Sequence, residues 1–398
     1  MNAYWAIIAV SAIVILSHLV GLLSRLIRIP SVLMLLVLGA AISAFLSARS
    51  ISVPGLEGYI HVLGSLGLIF IVLEASLDLR ITAEKRALVA KAAISALMII
   101  VLSTAAIGGV LRACFGQDWR SCIVNALPLS VISSAITIPS IRKVEAARRE
   151  FLTYEATFSD ILGVLLFNVV VQAGPVSGST IAFFALETGA TLAVSIVIVV
   201  MLMLILQRSK AESRLFLVVA MLTLAYGGGK LLHLSPLLLI LVFGLCLGNL
   251  PSRLPRWAAR LLDIESLRVE VPMLHRFSAE LSFFLRTFFF IVFGMSIKPA
   301  SLLSLEVLGL GAGAIAVIFL VRFAFLKLIR IGAGITEVLI SPRGLVTVLL
   351  VLSIPGPLRL GAVYDDVVYA VILLSGLVMT VGLLLTRHPG ERFDLPEG

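Results

Sequence analysis

Thirteen apolar runs follow one another along this chain, at roughly 4–24, 31–48, 60–79, 87–111, 121–141, 151–173, 179–206, 215–233, 235–250, 278–297, 302–329, 335–354 and 364–386. A helix needs about 20 mostly apolar residues to cross ~30 Å of hydrocarbon, so nearly every run can be a membrane span. The run at 235–250 is the shortest and the least secure. Soluble domains carry roughly 25% charged residues; here 13% of the 398 residues are charged and 60% are hydrophobic. A disordered chain needs the opposite balance. The expected fold class is an all-α polytopic membrane protein with about 13 transmembrane helices.

The loop charges orient the map. No positive residue precedes the first run, and Arg25 and Arg28 follow it. A cleaved signal peptide has the reverse order, so the first helix is read as retained, with the N-terminus outside and the C-terminus cytoplasmic in the plasma membrane. With that parity 21 Lys and Arg fall in inner loops and 6 in outer ones, the expected positive-inside bias. The formal net charge of +9 is therefore a topology signal, and no nucleic acid is expected as a partner. The longest loop, about 251–277, lies between Pro251 and Pro272 and places Trp257, Leu261 and Leu262 with Arg256 and Arg260 at helical spacing. A short amphipathic helix on the inner surface is expected there. Residues 387–398 read as a short cytoplasmic tail. No HExxH, aspartate pair or activated serine lies at membrane depth, so the chain reads as no enzyme, without a cofactor.

Two segments repeat. IFIVLEASLDL (69–79) aligns without gaps on FFIVFGMSIKP (289–299), matching Phe70 with Phe290, Ile71 with Ile291, Val72 with Val292 and Ser76 with Ser296. These spans lie seven apart, and an odd offset makes the repeat inverted. Inverted repeats characterise many secondary transporters, whose sites form where helices break near the midplane. The same offset pairs the fifth run with the twelfth, and both look interrupted. The fifth holds Pro128, Ser133, Ser134, Thr137 and Pro139; the twelfth holds Ser341-Pro342-Arg343-Gly344, where Ser341 and Pro342 suit the N-cap and first position of a new half-helix.

A charge at the bilayer centre costs at least ~2.5–3.5 kcal/mol, so each one needs a reason. Asp160 lies nine residues into its span, about 14 Å at 1.5 Å per residue, and Arg286 lies at similar depth in the tenth. Either they form a structural ion pair, or Asp160 carries a proton or a cation between two water-filled funnels. Glu155, about 140° round the helix, is the other candidate partner for Arg286. Glu74 lies nearer the inner face. Lys91, Arg322, Glu187 and Glu280 sit near enough to span ends to snorkel. Arg343, at the second break, can neutralise half-helix carbonyls or answer Glu337.

The chain resembles the monovalent cation:proton antiporter superfamily, in particular its sodium/proton exchangers of the NhaP type. The resemblance runs over nearly the whole chain and is carried by GLIFIVLEASLDL (67–79), EATFSD (155–160), FSAELSFFLRTFFFIVFGMSI (277–297) and SPRGLVTVLL (341–350). It implies a homodimer with crossed discontinuous helices, in which a core domain slides against a dimerisation domain. The core would comprise 59–173 and 276–386, and the scaffold 1–58 and 179–275, in one transmembrane unit. It implies Asp160 as the ligand for the monovalent cation and the proton, a structural salt bridge between Glu155 and Arg286, and Glu74 as an auxiliary acid. The implied activity exchanges Na+ or K+ for H+, one for one. Two positions depart from the family. Ser159 stands where Asn or Asp usually precedes the carrier aspartate, and Ile132-Ser133-Ser134 replaces Thr-Asp-Pro. Hydroxyls and freed carbonyls at Ser133 and Ser134, with Thr137 and Ser159, would then have to complete the site. The lost aspartate also admits a transport-inactive sensor or subunit, or a cation-coupled symporter of an organic anion.

Overall fold

Helices form where the apolar runs lie, and what ends them is local. The computed structural model describes residues 3–27, 29–49, 55–79, 84–141, 144–172, 214–231, 236–249, 264–297, 304–329 and 334–385, with parts of 189–204 and residue 302. Its helices are α1 (Ala3–Ile27), α2 (Ser31–Ala48), α3 (Leu56–Asp78), α4 (Arg86–Phe115), α5 (Trp119–Ser130), α6 (Ser134–Ser140) and α7 (Ala146–Gln172). After α8 (Leu192–Met201) come α9 (Arg214–Leu231), α10 (Pro236–Gly248), α11 (Ile264–Met295), α12 (Leu305–Leu328), α13 (Ile335–Leu339), α14 (Leu345–Leu352) and α15 (Ala362–Leu385). No strand occurs among the described residues. Every one of the thirteen apolar runs contains a described helix or a helix pair, and eight of these are long and apolar enough to cross a membrane.

The turn between α4 and α5 shows how the ends are made. Gly116 takes the left-handed conformation at φ 65° and its N–H returns to Arg112 O, the usual glycine stop. Asp118 then caps α5, accepting from Ser121 N at 3.1 Å and Ser121 Oγ at 2.7 Å, and these bonds hold its carboxyl below the usual carboxylate range.

Two boundaries differ from expectation. The tenth span starts at Ile264 and runs through Pro272 as a single helix, so 264–277 are not a surface loop. The inward stripe explains this: Leu274, Ser278, Ser282, Leu285 and Phe289 are all buried, and their three- and four-residue spacing continues unbroken below 278. The amphipathic segment around Trp257 and the tail after 385 lie outside the described residues. At the second break, Gly344 and not Ser341 is the N-cap of the half-helix.

The inverted repeat extends beyond the segment that revealed it. A shift of seven spans maps α2 to α10, α3 to α11, α4 to α12, α5/α6 to α13/α14 and α7 to α15. The packing obeys that map: α2 lies on α11 as α10 lies on α3, and α4 lies on α7 as α12 lies on α15. The matched serines repeat a local bond, Ser76 Oγ donating to Leu73 O at 2.9 Å and Ser296 Oγ to Phe293 O at 2.7 Å. Both outer seams are glycine contacts. A Cβ on Gly39 would collide with Ile291 O and one on Gly294 with Leu36 O; on Gly244 it would strike Ser76 Oγ, and on Gly248 it would come within 2.7 Å of Leu77 O. Small residues that bring helix backbones together are the common mode of packing in membranes.

Candidate ion-binding site

The chain leaves helical geometry at Val131–Ser133, where ψ values of 128° at Val131 and 115° at Ser133 are extended, and again at 340–344. Breaking a buried helix strands N–H and carbonyl groups that must find partners in hydrocarbon. Here the two breaks meet and supply them. Ser133 N donates to Pro342 O at 2.9 Å, Ile132 N to Ser159 Oγ at 2.8 Å, and Ser134 N to Asp160 Oδ2 at 3.0 Å. Ser134 Oγ also donates to Asp160 Oδ2.

The opposite ends, the carbonyls, go to Arg343. Its guanidinium is fully buried and donates from Nε to Leu129 O at 2.8 Å, from Nη2 to Ser130 O at 3.4 Å, and from Nη1 to Ser341 O and Oγ. Its backbone N donates to Ser375 Oγ at 3.0 Å. Arg343 therefore caps the C-terminal end of α5. Glu337 is not its partner; that carboxylate accepts from Arg148 Nε at 3.1 Å.

Asp160 is 3% exposed. One carboxylate oxygen holds Ser134, and the other, Oδ1, has no partner among the described residues; the buried hydroxyls of Ser133 and Thr137 are in the same position. These are the oxygens a cation can use.

The expected Glu155–Arg286 bridge is corrected. Glu155 accepts from Arg322 Nη2 at 2.6 Å and from Ser95 Oγ at 2.7 Å, and Arg322 Nε donates to Glu337 O at 3.1 Å. The reason is angular. Glu155 sits about 140° from Asp160 round α7, on the side where α4 brings Ser95 and α12 brings Arg322. Arg322 is not a snorkelling end charge but is 0% exposed. Lys327, nearer the end of the same helix, was the available signal, because it leaves Arg322 about 7.5 Å deeper. Lys91 and Glu280, by contrast, are exposed on the helix surfaces.

Arg286 works on the other side of the site. Pro139 has no N–H, so the carbonyl four residues earlier, Ala135 O, loses its helical donor, and Arg286 Nη1 supplies one at 3.0 Å. Arg286, Glu74, Asp78, Ile71, Ala75, Ser134, Ala135, Ile138 and Pro139 line a cavity. It links the end of α3 to Ser134, the residue bonded to Asp160. His275 Nε2 stands 2.8 Å from Asp78 Oδ1 at its mouth.

Two packed inverted repeats, with their broken helices crossing at a buried carboxylate, define the class of secondary transporters. The chain belongs to the sodium/hydrogen exchanger family: the family model described as "Sodium/hydrogen exchanger, transmembrane" matches residues 12–387. Among solved structures it is similar to the sodium proton antiporter MjNhaP1 from Methanocaldococcus jannaschii at pH 8, with a TM-score of 0.72 and 21% identity over 98% of this chain and 100% of that one. A structure of the same antiporter from an electron-microscopy map gives a TM-score of 0.71 at 21% identity, covering 99% of this chain and 100% of that one. These likenesses share the fold. No curated protein matches the chain in sequence.

Proposed function

We propose that the protein exchanges a monovalent cation, Na+ or K+, for H+ across a cell membrane, and that Asp160 binds both in turn. The observation that carries this is the half-used carboxylate of Asp160, buried where the breaks cross and bonded to Ser134, which lines the cavity beside Glu74. A carboxylate must shed its proton to ligate a metal ion, so the two substrates exclude each other there.

The other deep charges support a one-for-one, electroneutral exchange. Arg322 is matched by Glu155, and the buried Glu337 by the half-exposed Arg148, while Arg286 and Glu74 share the cavity. Arg343 is held on the carbonyls of Leu129, Ser130 and Ser341, so Asp160 is the carboxylate left to change its charge. A proton and a monovalent cation each bring that carboxylate the same single charge, so exchanging one for the other moves no net charge.

The glycine seams of α2 on α11 and α10 on α3 fall between the segments assigned above to scaffold (1–58, 179–275) and core (59–173, 276–386). Movement of the core along them, in a homodimer within the lipid bilayer, would expose Asp160 to each side in turn and serve pH homeostasis. With the N-terminus outside, the Glu74 cavity faces the cytoplasm.

Protein reconstituted in vesicles with a pH-sensitive dye should dissipate an imposed ΔpH when cation is added. Asp160→Asn should remove that response while the variant remains monodisperse, and persistent exchange would sink the assignment. The half-saturating cation concentration should rise as pH falls, approaching tenfold per unit once protons outcompete the cation.

A further inference from the structure

We propose that the site around Asp160 favours the larger alkali cations, potassium and rubidium, over sodium and lithium, with Ser133 and Thr137 setting that order; this rests on the exchange function proposed above. The first support is what has been withdrawn from the site. Breaks in membrane helices commonly offer backbone carbonyls to a cation, yet here five carbonyls of the breaks already have donors. Leu129, Ser130 and Ser341 accept from Arg343, Pro342 accepts from Ser133 N, and Ala135 accepts from Arg286. A buried guanidinium thus occupies the carbonyl-rich end of α5.

Among the buried side-chain oxygens of the described residues at the first break and Asp160, one carboxylate oxygen and two hydroxyls stay without a partner. Asp160 Oδ1, Ser133 Oγ and Thr137 Oγ1 are buried without a partner among the described residues, and their residues are 3%, 1% and 1% exposed. Ser133, the extended N-cap of α6, accepts at its carbonyl from Thr137 N at 3.0 Å, and Asp160 is tied to the same turn through Ser134. The site therefore carries a single formal negative charge, the rest of its ligands being neutral dipoles.

Ligand field strength then decides between ions. Coulomb attraction scales inversely with distance, so a small cation gains most from formal charge, and it needs that gain because small ions give up water reluctantly. Hydroxyl dipoles offset the hydration of a large cation more easily than that of a small one; number and field strength of neutral ligands are recognised determinants of potassium selectivity. A second carboxylate at the break would tip the balance toward sodium, and residues 131–137 hold none.

The test uses the full chain in vesicles, with the chlorides of Li+, Na+, K+ and Rb+ titrated at one pH. Potassium should half-saturate exchange at about tenfold lower concentration than sodium, and Thr137→Val should raise the value for potassium severalfold. Ser133→Asp should reverse the order in favour of sodium and lithium. A wild-type order with sodium or lithium at or ahead of potassium overturns the inference and leaves the exchange function standing. If no cation is exchanged, the exchange function falls, and thermal stabilisation of purified protein by the same salts, with Asp160→Asn as control, still decides. Potassium stabilising ahead of sodium supports the inference; sodium ahead, or no cation effect, overturns it. If Ser133→Asp fails to fold, the wild-type series and Thr137→Val carry the test.

Discussion

The two broken spans are related by the repeat, yet they do opposite electrostatic work. The break between α13 and α14 brings a positive charge tethered to the chain, and Arg343 spends it on carbonyls that would otherwise be stranded. The break between α5 and α6 brings no charge of its own. It offers backbone N–H groups and hydroxyls, and it relies on Asp160 of α7 for a carboxylate. Symmetry of backbone thus supports asymmetry of chemistry. One break is filled by a side chain, which leaves the other as the proposed place for the ion.

The sharpest way to break this comparison is to disturb the deep arginines one at a time. Arg322→Met leaves Glu155 buried without its counter-charge and should cost about 3–5 kcal/mol, read from unfolding in mixed micelles; Glu155→Leu added to it should recover most of that loss. No recovery in the double variant would mean that the pair is not the unit the geometry describes. Arg343→Met leaves the carbonyls of Leu129 and Ser130 without a donor and should cost about 3 kcal/mol. A variant that unfolds like the wild type would remove Arg343 from its capping role. The smallest effect concerns α6. Arg286→Met should cost about 1 kcal/mol through Ala135 O, and Pro139→Ala, which restores a helical donor to that carbonyl, should soften the loss. A double-mutant cycle with no coupling between 139 and 286 would refute that link.

Depth along a helix can be counted from sequence, whereas the direction a side chain faces in a bundle cannot. Asp160 and the two breaks could be set at one level because residues advance 1.5 Å apiece, and proline and serine mark where a helix cannot simply continue. The inverted packing followed from an odd number of spans. Choosing an arginine for Glu155 needed something else, the identity of the helices packed against that side of α7. Arg286 and Arg322 are both deep, and nothing in the local sequence says that α4 and α12, not α11, meet Glu155. The start of α14 failed for a related reason. Ser341 and Pro342 have the right types for an N-cap and first turn, but Ser341 is occupied by Arg343 and Pro342 O by Ser133, which pushes the helix start to Leu345. The role of Pro139 was hidden as well, since a missing N–H matters only once a donor from α11 is seen to replace it.

The glycine seams have a mechanical meaning. Where Gly39 meets Ile291 and Gly248 meets Leu77, backbones touch with no side chain standing between them. A seam of interlocked leucines resists sliding, because each knob must climb out of its hole before it can reach the next. These seams combine both kinds of contact, since leucines of α2 and α10 are buried on the same helices as the glycines. The glycines fix where the helix axes come closest, on opposite flanks of the packed α3 and α11, so an added methyl at Gly39, Gly294 or Gly248 would push backbone from backbone and part the two repeats at that point.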